Sequence, residues 1–284
     1  MPTYRQALRE GEKMAHANHM ESSAAKVLLL HHSEMENAAL YLHLDDVMSE
    51  AQYAGFLEGC HRHFERKEPV QYVVGYTYFY GYKFHVDERV LIPRFETEEL
   101  VANVLFHYDE MFDGKDVALV DVGTGSGCLA VALALEESHL HVSASDISEA
   151  ALAVAKQNAA YLNSPVTFTQ GDMLQPFEGK KFDILVSNPP YIPDEEFVEE
   201  IIKNHEPHTA LFGGSDGLKF YEIILSGAKD ILNEENFLAF EHAYNTKDAL
   251  KELALRYFPE AEIVQYQDMQ GKDRMTFVIN RRKS

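Results

Sequence analysis

The sequence predicts an α/β protein in which a small helical domain and a β-hairpin linker precede a mostly parallel, seven-stranded sheet covered by helices on both faces. Three observations predict it. Up to about residue 68 the apolar residues recur at helical spacing. Pro69 then opens a stretch rich in aromatic and β-branched residues, interrupted by Gly75 and Gly81. From about residue 95 onward, short apolar runs alternate with helical stretches, the pattern of strand–helix–strand units.

In the first region Tyr53, Phe56, Leu57, Cys60 and Phe64 fall at i, i+3, i+4, i+7 and i+11, one face of a helix. Ser22-Ser23 before AAKVLLL and Ser33 before EMENAALYLHL predict helix N-caps. Residues 1–68 are therefore expected to form a helical domain that chooses the substrate, and residues 69–94 a hairpin linker, the alternative being strands of the following sheet. In residues 95–284, strands are expected at 117–121, 142–146, 166–169, 184–187, 237–241, 263–266 and 275–279. Helices are expected at 127–136, 149–161, 219–231 and 246–256. Roughly eight residues separate the last two strands. That is too few for a helical crossover, so the final strand should run antiparallel.

Composition narrows the function classes. The chain has 284 residues, 46% of them hydrophobic, enough for two domains with sizeable cores. Its net charge of −21 disfavours binding to nucleic acid, where Lys and Arg must neutralise phosphates, and favours a partner with a basic surface. Cys60 and Cys128 make no disulfide framework, and the pairs His31-His32 and His61-x-His63 lack a matching pair at zinc spacing, so no metal is expected. The opening MPTYRQALREGEKM lacks the apolar core of a secretory signal, and no run of eighteen apolar residues occurs. A cytoplasmic monomer without membrane contact is expected.

Chemistry enters at the ends of the strands. Asp121-Val122-Gly123-Thr124-Gly125-Ser126-Gly127 follows a strand and opens a helix, where glycines admit a ligand to the backbone and the helix N-terminus favours an anion. The spacing is G-x-G-x-G, not the G-x-G-x-x-G of dinucleotide sites. The carboxylate of S-adenosylmethionine, which has no pyrophosphate, suits such a turn. Asp146 closes the next strand, where a carboxylate can accept from both ribose hydroxyls, and Gly171-Asp172 ends the third, where an acid can read the adenine amino group. Seven strands, the last reversed, with this loop is the arrangement of a class I, Rossmann-like methyltransferase domain.

The fourth strand ends in Asn188-Pro189-Pro190-Tyr191. A conjugated amide nitrogen is a poor nucleophile, because its lone pair is delocalised into the carbonyl. To attack a sulfonium methyl it must be desolvated, oriented and made electron-rich. Two acceptors on its two N–H groups would do this: the Asn188 side-chain oxygen and the Pro189 carbonyl. The nitrogens of Pro189 and Pro190 cannot donate, so the turn does not consume acceptors itself. Tyr191 offers a face on which a planar amide can pack. Orientation is then the main catalytic term, with no strong base needed before transfer. The same four residues serve enzymes that methylate exocyclic amines of adenine or guanine, so the motif names a class of nitrogen rather than a substrate.

At these residues the chain resembles the HemK/PrmC methyltransferases, which modify the glutamine of the Gly-Gly-Gln motif in peptide chain release factors. The resemblance spans nearly the whole chain: EPVQYVVG at 68–75, LIPRFETE at 91–98, the loop 121–127, Asp146-Ile147-Ser148, VSNPPYI at 186–192, Glu206-Pro207 with ALFGGSDG at 210–217, and GKDR at 271–274. It implies that Asp121, Gly123, Thr124, Gly125, Gly127, Asp146, Ile147, Asp172, Met173 and Asn188 hold S-adenosylmethionine, released as S-adenosylhomocysteine. It implies Asn188, Pro189 and Tyr191 as catalytic residues, with Pro190, Arg94 and Glu98 completing the substrate site near Thr97. Phe95 stands where the family usually has Pro, and Ala243 where it usually has Gly. The expected function is methylation of a release-factor glutamine. Alternatives are a ribosomal-protein glutamine, a nucleic-acid amine, or a cofactor-binding module without activity.

Overall fold

The computed structural model describes residues 1–282, which fall into two compact units. The first comprises Met1–Tyr76 with Glu199–His205, the second Thr77–Val198 with the chain from Glu206 onward.

The first unit is helical: α1 (Tyr4–Ala17), α2 (Ser23–Ser33), α3 (Asn37–Leu42), α4 (Glu50–Cys60) and α5 (Val70–Val74). Both α1 and α4 open with a capping box, Thr3 with Gln6 and Ser49 with Gln52, which satisfies amides at the helix start. The helical face anticipated in 50–66 forms, with Phe56, Cys60 and Phe64 buried against Leu28, Leu29 and Ala25. Its last turn, His61–Glu65, widens to a π-helix. Gly11 lets α1 approach closely: a Cβ there would stand 2.8 Å from the Phe56 ring and 3.0 Å from Ala25.

Two local expectations are corrected. Ser33 caps no helix. The apolar run Leu28-Leu29-Leu30 carries α2 through Ser33, whose hydroxyl donates back to the Leu30 carbonyl at 3.2 Å. The chain leaves this helix at Glu34, with a left-handed φ of 56°, and α3 starts only at Asn37. Likewise, residues 70–74 form a short helix between Pro69 and Gly75, whose φ of 79° ends it. The β-branched content there suggested a strand, but Pro69 at the start and Gly75 at the end are helix boundaries. The hairpin follows as β1 (Tyr76–Phe79) and β2 (Tyr82–His85), a two-stranded sheet of its own.

The second unit continues with α6 (Phe95–Phe112), β3 (Val117–Val122), α7 (Cys128–Glu136), β4 (Leu140–Asp146), α8 (Glu149–Leu162), β5 (Thr167–Gln170) and β6 (Phe182–Ser187). After β6 the chain passes through α9 (Glu200–His205), which belongs to the first unit. It then forms α10 (Lys219–Ile231), β7 (Leu232–Glu241), α11 (Lys247–Tyr257), β8 (Glu262–Gln267) and β9 (Asp273–Asn280). The seven-stranded sheet has the order β5-β4-β3-β6-β7-β9-β8. Strands β5, β4, β3, β6 and β7 are parallel, and β9 runs antiparallel between β7 and β8. Each expected strand is present, and the final one is reversed as anticipated.

Alternate residues of the central strands face opposite layers, as the two-residue period requires. Leu119, Ile184, Phe237 and Phe277 pack with α6 and α7 and with Phe79 and Phe84 of the hairpin. Val120, Leu185, Leu238 and Val278 pack with α10 and α11. Strand order reverses between β3 and β6, so their carboxyl ends diverge into a crevice, the usual place for a ligand in such sheets. Among the described residues, no helix is long and apolar enough to cross a membrane.

Phe237 is fully buried among Phe112, Phe277 and His107. Phe237→Ala is expected to destabilise the chain by about 3–5 kcal/mol, read as a lowered denaturant midpoint in equilibrium unfolding.

Candidate active site

A cavity of about 520 Å³ opens at the carboxyl ends of β3, β4, β5 and β6. Its floor is the turn after β3. Gly123, Gly125 and Gly127 all have left-handed φ, of 77°, 56° and 80°. A Cβ on Gly123 or Gly125 would meet nothing within 4 Å, so side chains there would fill open cavity. That space, rimmed by backbone, is a cradle for a ligand. Gly127 does other work: its Cβ would come within 3.0 Å of Ala155, so glycine here lets α7 and α8 pack. It does not line the cavity.

The acids at the strand ends are held by hydrogen bonds. Thr124 Oγ1 donates to Asp121 Oδ2 at 2.6 Å, and both groups are buried. Burial pushes the Asp121 carboxyl up to about 7, with the charge of Asp146 adding to the effect. The Asp146 carboxylate accepts from the Gly125 amide (2.9 Å) and from the Ser148 amide (2.9 Å). Burial raises its pKa and these amides pull it back. Each carboxylate oxygen has two acceptor sites, so Asp146 keeps capacity for a diol. Ile147, Asp172 and Met173 line the cavity beside it. Ile147 is 58% exposed, and Asp172 is exposed as well, so both can be covered by a bound molecule. Met173, at φ 44°, is turned by its neighbours, and its carbonyl accepts from the Ser145 hydroxyl at 3.3 Å. Cys128 also lines the cavity, but burial pushes its thiol up to about 12, which leaves it un-ionised at neutral pH.

The Asn188-Pro-Pro-Tyr191 turn leaves β6 at the other side of the cavity. Asn188 and Pro190 line it; Pro189 is buried and Tyr191 half-buried behind them. The turn is held by the segment 210–217. Ile192 donates to the Leu211 carbonyl (3.0 Å) and Gly213 to the Ile192 carbonyl (2.8 Å). A Cβ on Gly213 would stand 2.4 Å from the Pro190 carbonyl oxygen, so only glycine permits this approach.

Asn188 has a defined amide orientation. Its Nδ2 donates to Thr97 Oγ1 at 3.2 Å, and Thr97 Oγ1 donates to Glu241 Oε2 at 2.6 Å. Tyr191 reaches Glu241 Oε1 at 3.4 Å, and the Tyr221 hydroxyl donates to the Glu241 carbonyl at 2.6 Å. Burial, with Glu241 close by, pushes the Tyr191 phenol well above its usual range, so Tyr191 stays neutral. Arg94 lines the cavity and pairs with Glu206 at 2.6 Å, a carboxylate that also accepts from the Ile92 amide at 3.2 Å. Thr97 lines the cavity, whereas Glu98 in the first turn of α6 does not. Phe95 is 56% exposed and stands outside the cavity wall.

The cavity thus brings together Asp121, Gly123, Thr124, Gly125, Asp146, Ile147, Asp172, Met173, Asn188, Pro190 and Arg94. Gly127, Pro189, Tyr191 and Glu98 lie behind or beside its wall. Sequence reasoning missed Glu206 and Glu241 as partners of this site. The available signal was position: Glu241 is the last residue of a buried strand adjacent to β6.

This sheet order, with a glycine-rich turn after β3, Asp146 ending β4 and Asp172 just beyond β5, defines a class I methyltransferase domain. Comparison with known proteins takes the assignment further. Residues 102–210 match the family described as Methyltransferase small domain, and residues 6–75 the PrmC N-terminal domain. The release factor glutamine methyltransferase of Bacillus subtilis is 45% identical over 260 residues, 89% of this chain and 90% of the relative. The protein of the same name from Bacillus cereus is 39% identical over 276 residues, 96% of this chain and 97% of its own. A methyltransferase of Pyrococcus furiosus shares the fold, with a TM-score of 0.52 at 17% identity over 70% of this chain and 88% of that one. The chain belongs to the release factor glutamine methyltransferase family.

The raised pKa of Asp121 makes a stability prediction. The folded state holds this proton more tightly than the unfolded chain, whose carboxyl titrates near 4. The stability it contributes is present in acid and is lost as pH rises from about 4 through about 7. Asp121→Asn keeps an acceptor for Thr124 and does not titrate. Urea midpoints measured from pH 4 to pH 8 should therefore show the variant gaining on the wild type as pH rises, roughly levelling above 7.

Proposed function

We propose that this protein transfers a methyl group from S-adenosylmethionine to the side-chain amide nitrogen of the glutamine in the Gly-Gly-Gln motif of peptide chain release factors. The observation that carries the reading is the amide of Asn188. Its N–H group is engaged by Thr97 at the cavity wall, which leaves Oδ1 as the acceptor for an incoming N–H.

The residues of the cavity fit the cofactor. Gly123, Thr124 and Gly125 would take its amino-acid end on backbone that no side chain obstructs. Asp146 would accept from the ribose hydroxyls, with Asp172, Met173 and Ile147 around the adenine. When bound, S-adenosylmethionine supplies an electrophilic sulfonium methyl. The protein supplies position. Asn188 Oδ1 accepts one amide proton of the substrate, and the Pro189 carbonyl, just behind the cavity wall, is the second acceptor the turn offers; together they would turn the nitrogen lone pair toward the methyl and draw charge onto nitrogen. Neutral Tyr191, half-buried, packs behind the turn. After transfer the alkylated nitrogen is acidic and releases its extra proton without a dedicated strong base.

The acidic chain, at −21, suits a partner with a basic surface. Residues 1–68 are read as the part that selects the release factor, and the enzyme as a cytoplasmic monomer. Relatives named release factor glutamine methyltransferase, at 39–45% identity over 89–96% of this chain, support the release factor as substrate.

Two variants should separate the roles, assayed with purified release factor as acceptor. Asn188→Ala is expected to lower kcat by about 100-fold or more while cofactor affinity changes little, the signature of an interaction used in the transition state. Asp146→Ala should instead raise the cofactor requirement, by about 10-fold or more. Equal loss of cofactor binding in Asn188→Ala would count against its role, and an unchanged cofactor titration in Asp146→Ala would remove it from the ribose site.

A further inference from the structure

Glu241 is the last residue of β7 and is 2% exposed. No part of the reaction described above uses it directly. A carboxyl at such a depth is costly, and packing alone would be served as well by an apolar side chain. Its surroundings are ordered by hydroxyl groups. Oε2 accepts from Thr97, itself 3% exposed, Oε1 faces Tyr191, and the backbone carbonyl accepts from Tyr221.

We propose that Glu241 is a positioning residue: through the single hydroxyl proton of Thr97 it fixes the flip of the Asn188 side-chain amide, so that Oδ1 rather than Nδ2 is presented to the substrate. The inference rests on the reading of Asn188 as the acceptor of the substrate amide.

The count of donors links these groups. A hydroxyl has one hydrogen. An ionised Glu241 only accepts, so Thr97 spends that hydrogen on Oε2 at 2.6 Å. Toward Asn188 the Thr97 oxygen can then only accept, and the group facing it at 3.2 Å must be Nδ2. With Nδ2 committed, Oδ1 is left for the ligand. If the carboxyl were protonated, or replaced by a donor, Thr97 could turn its hydrogen toward Asn188. The amide would then be free to present its N–H₂ to the substrate, where two donors would face each other.

The charged and titratable groups around Glu241 come from several elements. Burial raises its pKa; Thr97 and Arg274 of β9 lower it, Glu96 of α6 raises it, and Tyr191 lowers it. Tyr221 of α10 and Cys128 of α7 face it as neutral groups, and His242 follows it in sequence with its own pKa lowered by burial. With its pKa raised by burial, loss of the relay on lowering the pH starts above the ordinary glutamate range.

Two readouts test this on the full chain. First, the side-chain amide signals of Asn188 in ¹⁵N-labelled protein, without substrate, should show one slowly exchanging proton in the wild type and in Thr97→Ser, and lose it in Thr97→Val. Second, with release factor as acceptor, Thr97→Val and Glu241→Leu should lower kcat by about 10- to 100-fold while the KM for cofactor stays within about twofold. Thr97→Ser should restore turnover to within about threefold, and Glu241→Gln should lack the acid limb of the wild-type kcat profile. The proposal is overturned if Thr97→Val or Glu241→Leu turns over like the wild type, if Thr97→Ser is as poor as Thr97→Val, or if the Asn188 signals ignore Thr97→Val. A wild type that binds cofactor yet leaves glutamine unmodified would instead overturn the substrate reading, and the amide signals would then decide the relay alone.

Discussion

Three carboxyl groups, Asp121, Asp146 and Glu241, stand at the carboxyl ends of three strands of one sheet, Asp121 and Glu241 buried and Asp146 half-buried, and each is satisfied by a neighbour. A buried carboxylate without partners would cost several kcal/mol, so the loops around it are not free to vary. Asp121 takes the Thr124 hydroxyl, Asp146 takes two backbone amides, and Glu241 takes the hydroxyl of Thr97. These bonds determine the shape of the turn after β3, the start of α8 and the seat of Asn188. The site is therefore a consequence of how the ends of β3, β4 and β7 are made tolerable.

The same bonds divide the labour of the cavity. On one side lie glycines and Asp146, where open backbone and spare acceptor capacity suit a polar small molecule. On the other lies a turn of two prolines that cannot donate, flanked by an asparagine with its own N–H₂ engaged. Acceptors thus concentrate where a poor nucleophile would need to be oriented. The glycines of 210–217 complete this arrangement by allowing backbone to press against backbone at Pro190 and Tyr191.

Much of this was legible in the sequence because it is local. Strands of the sheet read directly as apolar runs, and the turn at 121–127 and the motif at 188–191 are contiguous, so their residue types carry their chemistry. Errors arose where two local signals competed. Val70–Val74 has strand-like residues but lies between a proline and a left-handed glycine, and helix boundaries prevailed. Ser33 resembled a cap, yet the apolar face of α2 extended past it. What could not be read were partners distant in sequence. Thr97 and Glu241 are 144 residues apart, and Arg94 and Glu206 112. No spacing rule connects them; only the adjacency of β6 and β7, and the position of α6 beside them, brings these groups together.

On the function proposed, this cavity modifies one glutamine nitrogen of a release factor. The direct measurement is transfer of label from methyl-labelled S-adenosylmethionine to four acceptors side by side: purified release factor, its Gly-Gly-Gln loop variant with Gln→Ala, a ribosomal-protein mixture and bare ribosomal RNA. Label is expected on the release factor and should disappear in the variant. Label confined to ribosomal protein or RNA, or retained in the variant, would contradict that function.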